Sequence, residues 1–400
     1  MSEPRRTTTV VVGAGHSGLA ASRHLAAAGI DHVVLERGQV ANSWRTQRWD
    51  SLRLLTPNWM TRLPGHEYAG DDPDGFMAGS DFADLLDGYA RAGSVPVQTE
   101  TRVQRLRPLG EGFAVDTDQG PWRADSVIIA SGAVAGVAPA LAGGWSIPSI
   151  HALDYRRPDQ LPDGGVLVVG AGASGVQIAA ELQASGRQVT LAVGEHVRAP
   201  RTYRGRDIFA WIDQIGLLDE RWDEVDDVVR ARRLPSFQLV GGPTTYDLNA
   251  LQDLGVRVVG KLAGVRDREL LFSGSLANAV ALADLKLNRL LAAIDSVVGG
   301  RGERPEPTRI PEPVLSVSLT GGEISSVVWA TGIKPDHSFL YAPVFDHKGA
   351  VRHDGGRTEI PGLYVTGLPV LRRRRSTYID GADADTAALV AHLVASLAFA

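Results

Sequence analysis

One local signature occurs twice in this chain of 400 residues, and it limits the possible folds more than any other feature. An apolar run ends at Val10–Val12, is followed by Gly13, Ala14, Gly15, His16, Ser17 and Gly18, and continues as a helical pattern to about Ala28. A second copy, GVLVVGAGASGVQIAAELQASG, covers residues 165–186. Gly13, Gly15, Gly18, Ser22 and Gly29 return at one constant offset as Gly170, Gly172, Gly175, Ala179 and Gly186. In a strand–loop–helix unit the first glycine permits the tight turn. The second lets the backbone approach a pyrophosphate, and the third lets helix and strand pack closely. The helix N-terminus then faces the phosphate charge. Five matched positions at a single offset imply two dinucleotide-binding units rather than two incidental turns.

The copies differ where the second strand ends. In the first unit HVVLE ends at Glu36, an acid placed to bond the ribose hydroxyls of an unphosphorylated adenosine. The same offset puts Val193 in the second unit, with Glu195 near it and Arg198, Arg201, Arg204 and Arg206 following. Loss of the acid beside arginines favours a 2′-phosphate. The reading is therefore FAD in the first unit and NADPH in the second. The chain carries only four lysines against 37 arginines, so any single arginine weighs little.

The segments ADSVIIASGA (124–133) and SSVVWATGIKPD (325–336) resemble each other and flank the second unit. The simplest topology nests one domain in the other. The expectation is an α/β fold of two nested, Rossmann-like, three-layer dinucleotide-binding domains. The outer one, for FAD, takes 1–155 and 325–400; the inner one, for NADPH, takes 156–324. Helices are expected over 80–92, 275–297 and the C-terminal apolar stretch. Residues 205–265 carry little signal, and RWDEVDDVVRARRLP reads as a solvated helical face.

Composition closes several other routes. There is no cysteine, which excludes disulfides, thiolate metal sites and a dithiol relay; no metal is expected. A net charge of -5 gives no reason to expect nucleic acid or an anionic membrane. No apolar run reaches the roughly 18 residues that span a bilayer, and the N-terminus lacks the apolar stretch of a signal peptide. The cytoplasm is the expected location, and a homodimer is compatible with this reading.

On these residues the chain resembles the flavin-containing, class B monooxygenases, and most closely their bacterial FAD/NAD(P)-binding flavoproteins. The family marker FxGxxxHxxxW/Y is represented by WSIPSIHALDY, with Trp145, Ile147, His151 and Tyr155. The GGTW element appears as ANSW with Trp44 kept, and the ATG linker is Ala330, Thr331 and Gly332. PGLYVTGLP places Gly367 where the late strand meets the flavin, with Leu368 in place of the usual acid. The resemblance implies FAD contacts at Gly13, Gly15, Ser17, Gly18, Glu36, Arg37, Trp44, Arg45, Val103 and Gly367. It implies nicotinamide-nucleotide contacts at Gly170, Gly172, Ser174, Gly175, Gln177, Arg198, Arg201, Thr331 and Gly332.

It also implies a cycle: NADPH reduces FAD, molecular oxygen gives a C4a-(hydro)peroxyflavin, and one oxygen atom passes to a small metabolite at N or S. Asn58 is the candidate catalytic residue beside the flavin edge; the competing reading is a turn asparagine after Pro57. His151 and Tyr155 are expected to organise the domain junction, and His16 to be incidental. The arginines of LRRRRSTYIDGADAD are expected to be solvated, ahead of a last helix whose N-terminus faces the flavin. Three other outcomes stay open: Baeyer–Villiger or decarboxylating oxygenation of a carbonyl substrate, a flavin reductase or oxidase without oxygenation, and a redox sensor.

Overall fold

A computed structural model of the chain describes residues 3–137 and 147–398. Trp145 of the histidine motif lies outside the described residues.

The first sheet is built on the valine-rich run that precedes the first glycine loop. Strands Arg5–Val12, His32–Leu35, Val97–Gln98, Gly120–Ile129 and Leu363–Val365 are parallel. Phe113–Thr117 and Val103–Pro108 extend the sheet antiparallel beyond Gly120–Ile129. Successive side chains of a strand point to opposite faces, so the same strands feed two cores. Val11, Val34 and Ile128 pack under helices His16–Ala27, Gly79–Ala92 and Gly381–Leu397 through Leu19, Leu25, Phe82, Leu389 and Leu393. Val10, Val12, Val33, Leu35, Val127 and Ile129 pack on the other face with Phe113, Leu340 and Val344. Burial on both faces is what the unbroken apolar runs require.

The second sheet repeats the plan. Arg257–Gly260, Val189–Val193, Val166–Val169, Ser326–Trp329 and Ser149–His151 lie side by side in that order, all parallel. One face packs on helix Ala173–Ala184, and the other on the antiparallel strands Leu262–Arg266, Glu269–Phe272 and Ser316–Ser318. Both units are therefore three-layered. Ser149–His151 and Ser326–Trp329, which the sequence reading leaves with the outer unit, pair in the inner sheet. The chain crosses between units through Ala133–Gly136 and Ile333–Pro335, which pair with each other. The expected helices are found at Gly79–Ala92, Leu276–Val298 and Gly381–Leu397.

The weakly patterned insertion forms a core of its own. Tyr203, Ile208, Phe209, Trp211, Ile212, Leu218 and Leu239 pack on Leu287, Leu291 and Ile294 of the long helix and on Met60 of the outer unit. The charged stretch is exposed or half-buried throughout, as expected, but is not one continuous helix. Only Val228–Ala231 is helical, and Arg232 turns inward to donate to the Val370 carbonyl at 3.3 Å.

Candidate dinucleotide and substrate sites

The two glycine loops have almost the same backbone. Gly13 has φ +107° and Gly170 φ +108°, a region that a side chain rarely enters. A Cβ on Gly13 would meet the Ala130 carbonyl oxygen at 2.6 Å, and one on Gly170 would meet that of Ala330 at 2.3 Å. Gly18 and Gly175 lie still tighter, since their Cβ atoms would fall 1.9 and 1.8 Å from the carbonyl oxygens of Gly13 and Gly170. Gly15 is different, with no atom within 4 Å of its built Cβ. Gly15 and Gly172 cap the following helices in extended conformation and supply no side-chain bond. The helix-terminal N–H groups are thus left for an anion.

Around the first loop the side chains fit a dinucleotide. Glu36 is buried at the end of its strand; one carboxylate oxygen accepts from Ala14 N at 2.8 Å and the other from Gly38 N at 3.1 Å. The acid thereby holds the loop as well as facing the adenosine position. A cavity of about 330 Å³ opens there, lined by Gly13, Glu36, Arg37, Val103, Ser131 and Phe339 among others. The buried hydroxyls of Ser17, Ser131 and Thr366 have no partner within the protein. A Cβ on Gly367 would approach the Ser17 hydroxyl to 2.9 Å, so this glycine keeps the passage narrow but open. Unpaired buried hydroxyls beside an open glycine are what a group with acceptor oxygens would satisfy. Burial lowers His16, at the start of the helix, to about 4, so it is neutral near pH 7.

Trp44 and Arg45 act as structural anchors of the short helix Asn42–Thr46. Trp44 meets Phe82 edge-on at 4.8 Å between centroids, with the Arg48 guanidinium 5.0 Å from the Trp44 ring. Arg45 pairs with Asp84 at 2.9 Å. Asn58 opens a short turn, Asn58–Met60, and is buried. Its backbone N–H donates to Gly75 O at 2.9 Å and its Nδ2 to Asp72 O at 2.9 Å, while its Oδ1 has no partner. It is a turn residue, yet it presents a free acceptor. Next to it, a cavity of about 760 Å³ separates the outer unit from the insertion. Trp59, Asp74 and Phe76 line one side, and Arg201, Asp207 and Asp213 the other.

At the second unit the arginines sit otherwise than the sequence reading expects. Arg198 is buried and bonds Asp247 through Nε and a terminal nitrogen, at 3.0 and 2.7 Å, and Asp284 at 2.8 Å. Arg201 is buried against Asp207 at 2.6 Å and the Leu55 carbonyl at 2.8 Å, with its guanidinium 4.8 Å from the Phe76 ring. Neither offers a free fork to a 2′-phosphate. Both tie the insertion down, because acids distant in sequence fold onto them. The cations beside the end of Val189–Val193 are lysines. Lys286 pairs with Glu195 at 2.9 Å, holding that carboxyl below its usual range, and Lys261 flanks Gly194. The scarcity of lysine was the only sequence signal for them. Ser174 lies in the first turn of the second loop's helix, Gln177 Nε2 donates to Leu239 O at 3.0 Å, and Thr331 bonds the Val137 carbonyl.

The junction residues span the units. His151 donates to Gly332 O at 3.1 Å, and a Cβ on Gly136 would strike its ring at 2.5 Å. Tyr155 donates to Glu181 at 2.6 Å; burial first, and this carboxylate second, raise its phenol well above the usual range. Ser51 of the outer unit donates to the other oxygen of Glu181 at 2.6 Å. The arginine run is not solvated. Arg374 pairs with Glu220, and Arg375 with Asp213 at 2.6 Å, Asp219 at 2.9 Å and Asp380 at 2.7 Å. This seam fastens the insertion to the start of helix Gly381–Leu397. Among the described residues no helix is long and apolar enough to cross a membrane, and no cluster of metal-ligating side chains is found.

The model of the pyridine nucleotide-disulphide oxidoreductase family matches residues 10–215. An uncharacterized CzcO-like oxidoreductase of Geobacillus kaustophilus is 30% identical over 388 residues, 95% of this chain and 96% of its own length. Indole-3-pyruvate monooxygenase YUCCA6 of Arabidopsis thaliana is 29% identical over 273 residues, 62% of this chain and 63% of its own. Among solved structures, a flavin-containing monooxygenase from Stenotrophomonas maltophilia superposes with a TM-score of 0.68 at 21% identity, covering 98% of this chain and 99% of that one. An ornithine N-hydroxylase of Kutzneria sp. 744, solved with reduced FAD, NADP+ and L-ornithine, superposes with a TM-score of 0.66 at 16% identity, covering 97% of this chain and 99% of that one. The matched glycine loops and the near end-to-end relative show that this chain belongs to the pyridine nucleotide-disulphide oxidoreductase family, with no cysteine to form the disulphide.

Proposed function

We propose that this protein is an FAD-dependent, NADPH-consuming monooxygenase that oxygenates a small metabolite at a nitrogen or sulfur atom. The observation that carries the reading is the pair of glycine loops built on one backbone plan, the first ending its strand in an acid and the second in Val193 flanked by lysines. With no cysteine, electrons from a flavin have no dithiol to reach.

Bound in these units, NADPH and FAD would supply two electrons that divide molecular oxygen, one atom going to the substrate and the other, with two protons, to water. The residues of this chain hold and shield that chemistry. Glu36 and the Gly15 loop orient the first nucleotide, while Lys261 and Lys286 offer charge-assisted bonds to a 2′-phosphate. Asn58 Oδ1, fixed by the bond from Nδ2 to Asp72 O, has no partner in the protein and would accept from a donor on a group bound beside it. Trp59 and Phe76 give the neighbouring cavity two aromatic surfaces, facing the charged Arg201, Asp207 and Asp213. A nearby second reading, oxidative decarboxylation of a carbonyl substrate, draws on the likeness to an indole-3-pyruvate monooxygenase.

The test is stopped-flow absorbance of FAD-loaded protein, reduced anaerobically by NADPH and mixed with aerated buffer. A near-ultraviolet transient that lasts for seconds, followed by one labelled oxygen atom in an amine or sulfide product, is the expected result. Immediate reoxidation with stoichiometric hydrogen peroxide in the presence of every amine, sulfide and ketone tried would replace this reading with a reductase or oxidase.

A further inference from the structure

The segment that the sequence left unread lies directly on the second glycine loop. Gln238 is fully buried; its Nε2 donates to the Ala171 carbonyl at 2.7 Å, and its backbone N–H to Val197 O at 2.8 Å. The following residue is held from the other side by Gln177, whose Nε2 bonds Leu239 O. Two residues earlier, Ser236 is exposed, and a Cβ built on Gly172 would stand 3.9 Å from its hydroxyl and 3.9 Å from Pro235. The ends of the segment reach the outer unit. Arg232 bonds Val370 O, and Gly241 passes so close to Arg53 that a Cβ would fall 2.3 Å from the arginine Cβ. The first glycine loop has no such cover, since nothing lies within 4 Å of a Cβ at Gly15.

Gln238 also keeps its Oε1 buried with no partner. An apolar side chain of similar size would fill the position but would strip the Ala171 carbonyl of the donor it has here, so packing alone does not account for an amide. What the amide does is hold the carbonyl of Ala171, between the first and second glycines of the loop.

We propose that residues 235–239 form the outer wall of the second dinucleotide site, with Gln238 as a positioning residue for its glycine loop and Ser236 as a direct donor to the pyrophosphate. The proposal rests on the reading of the second unit as a nicotinamide-dinucleotide site. The pyrophosphate is common to NADPH and NADH, so the wall serves either and leaves discrimination to the strand end.

The test is calorimetric titration of FAD-loaded protein with NADP+ and, separately, NAD+, on the wild type, Gln238→Met and Ser236→Ala. Gln238→Met should weaken NADP+ about tenfold through disorder of the loop while Tm stays about level, since the variant exchanges one unpaired buried acceptor, Gln238 Oε1, for another, the Ala171 carbonyl. Ser236→Ala should weaken it roughly fivefold, the loss of one hydroxyl–phosphate bond. FAD content and photochemical reduction of the flavin should not change in either. Unchanged affinity in Ser236→Ala overturns the direct contact. Unchanged affinity in Gln238→Met, or a loss that merely follows a fall in Tm of several degrees, overturns the positioning role. A wild type that binds neither nucleotide overturns the reading of the second unit itself, and does so before any variant is compared.

Discussion

The two glycine loops share a backbone to within a degree at their first glycine, yet their surroundings have little in common. The first loop is held by an acid from its own unit: Glu36 accepts from Ala14 and Gly38, and an open cavity lies next to it. The second is covered by a segment more than sixty residues downstream, and its strand ends beside lysines from two other elements. The contrast separates two problems. Bending a chain around a pyrophosphate is local and is solved identically twice. The side chains that surround each loop differ in origin, from its own strand in the first and from distant elements in the second.

The largest effect expected bears on the arginines. Arg198→Ala leaves Asp247 and Asp284 without the cation they enclose, and loss of one partner from a buried pair costs about 3–5 kcal/mol. Thermal unfolding should show a large fall in Tm, with the ratio of KM for NADPH and NADH unchanged. A changed ratio at intact stability would return Arg198 to the nucleotide. Next come the third glycines. Gly18→Ala and Gly175→Ala each drive a methyl into a carbonyl oxygen, an overpacking cost of about 1–3 kcal/mol. Gly18→Ala should purify with less FAD, whereas Gly175→Ala should keep its flavin and lose NADP+ affinity. Flavin loss from both variants would break the assignment of one nucleotide to each unit.

Lys286→Ala should raise the KM for NADPH about tenfold, the worth of one charge-assisted bond of roughly 1.4 kcal/mol, and leave that for NADH in place. An equal change for both nucleotides would remove Lys286 from the 2′-phosphate. The smallest effect concerns His16, whose counterpart in the second loop is Ala173. Burial depresses His16 to about 4, below the 6.5 of an unfolded histidine. The folded state therefore binds fewer protons, and its stability is full above pH 6.5 and falls as pH drops toward 4. His16→Ala should flatten part of that acid-side decline in Tm, and an identical profile would show that burial of His353, also lowered to about 4, dominates it.

Legibility followed the range of the forces involved. The loops, the offset between them and the acid at Glu36 were readable because glycine sterics and strand periodicity act over a few residues. The helices Gly79–Ala92 and Leu276–Val298 were readable for the same reason. Arg198 reads from sequence as a phosphate ligand and the run Arg372–Arg375 as solvated, because partners such as Asp284, Asp213 and Glu220 lie far away in sequence. The stretch 221–241 has alternating charges and short turns with no period. Its role depends on two glutamines meeting a loop and a backbone carbonyl, which no local pattern encodes.

By itself, then, the sequence determined that this chain forms two nested dinucleotide units without thiol chemistry, since tight turns and the absence of cysteine are properties of the residues themselves. Only the tertiary structure decided which cations are enclosed by acids, what covers the second loop and where the cavities lie. Ion pairing and burial couple residues by distance in space, and a buried arginine enclosed by aspartates has no charge left to offer a phosphate.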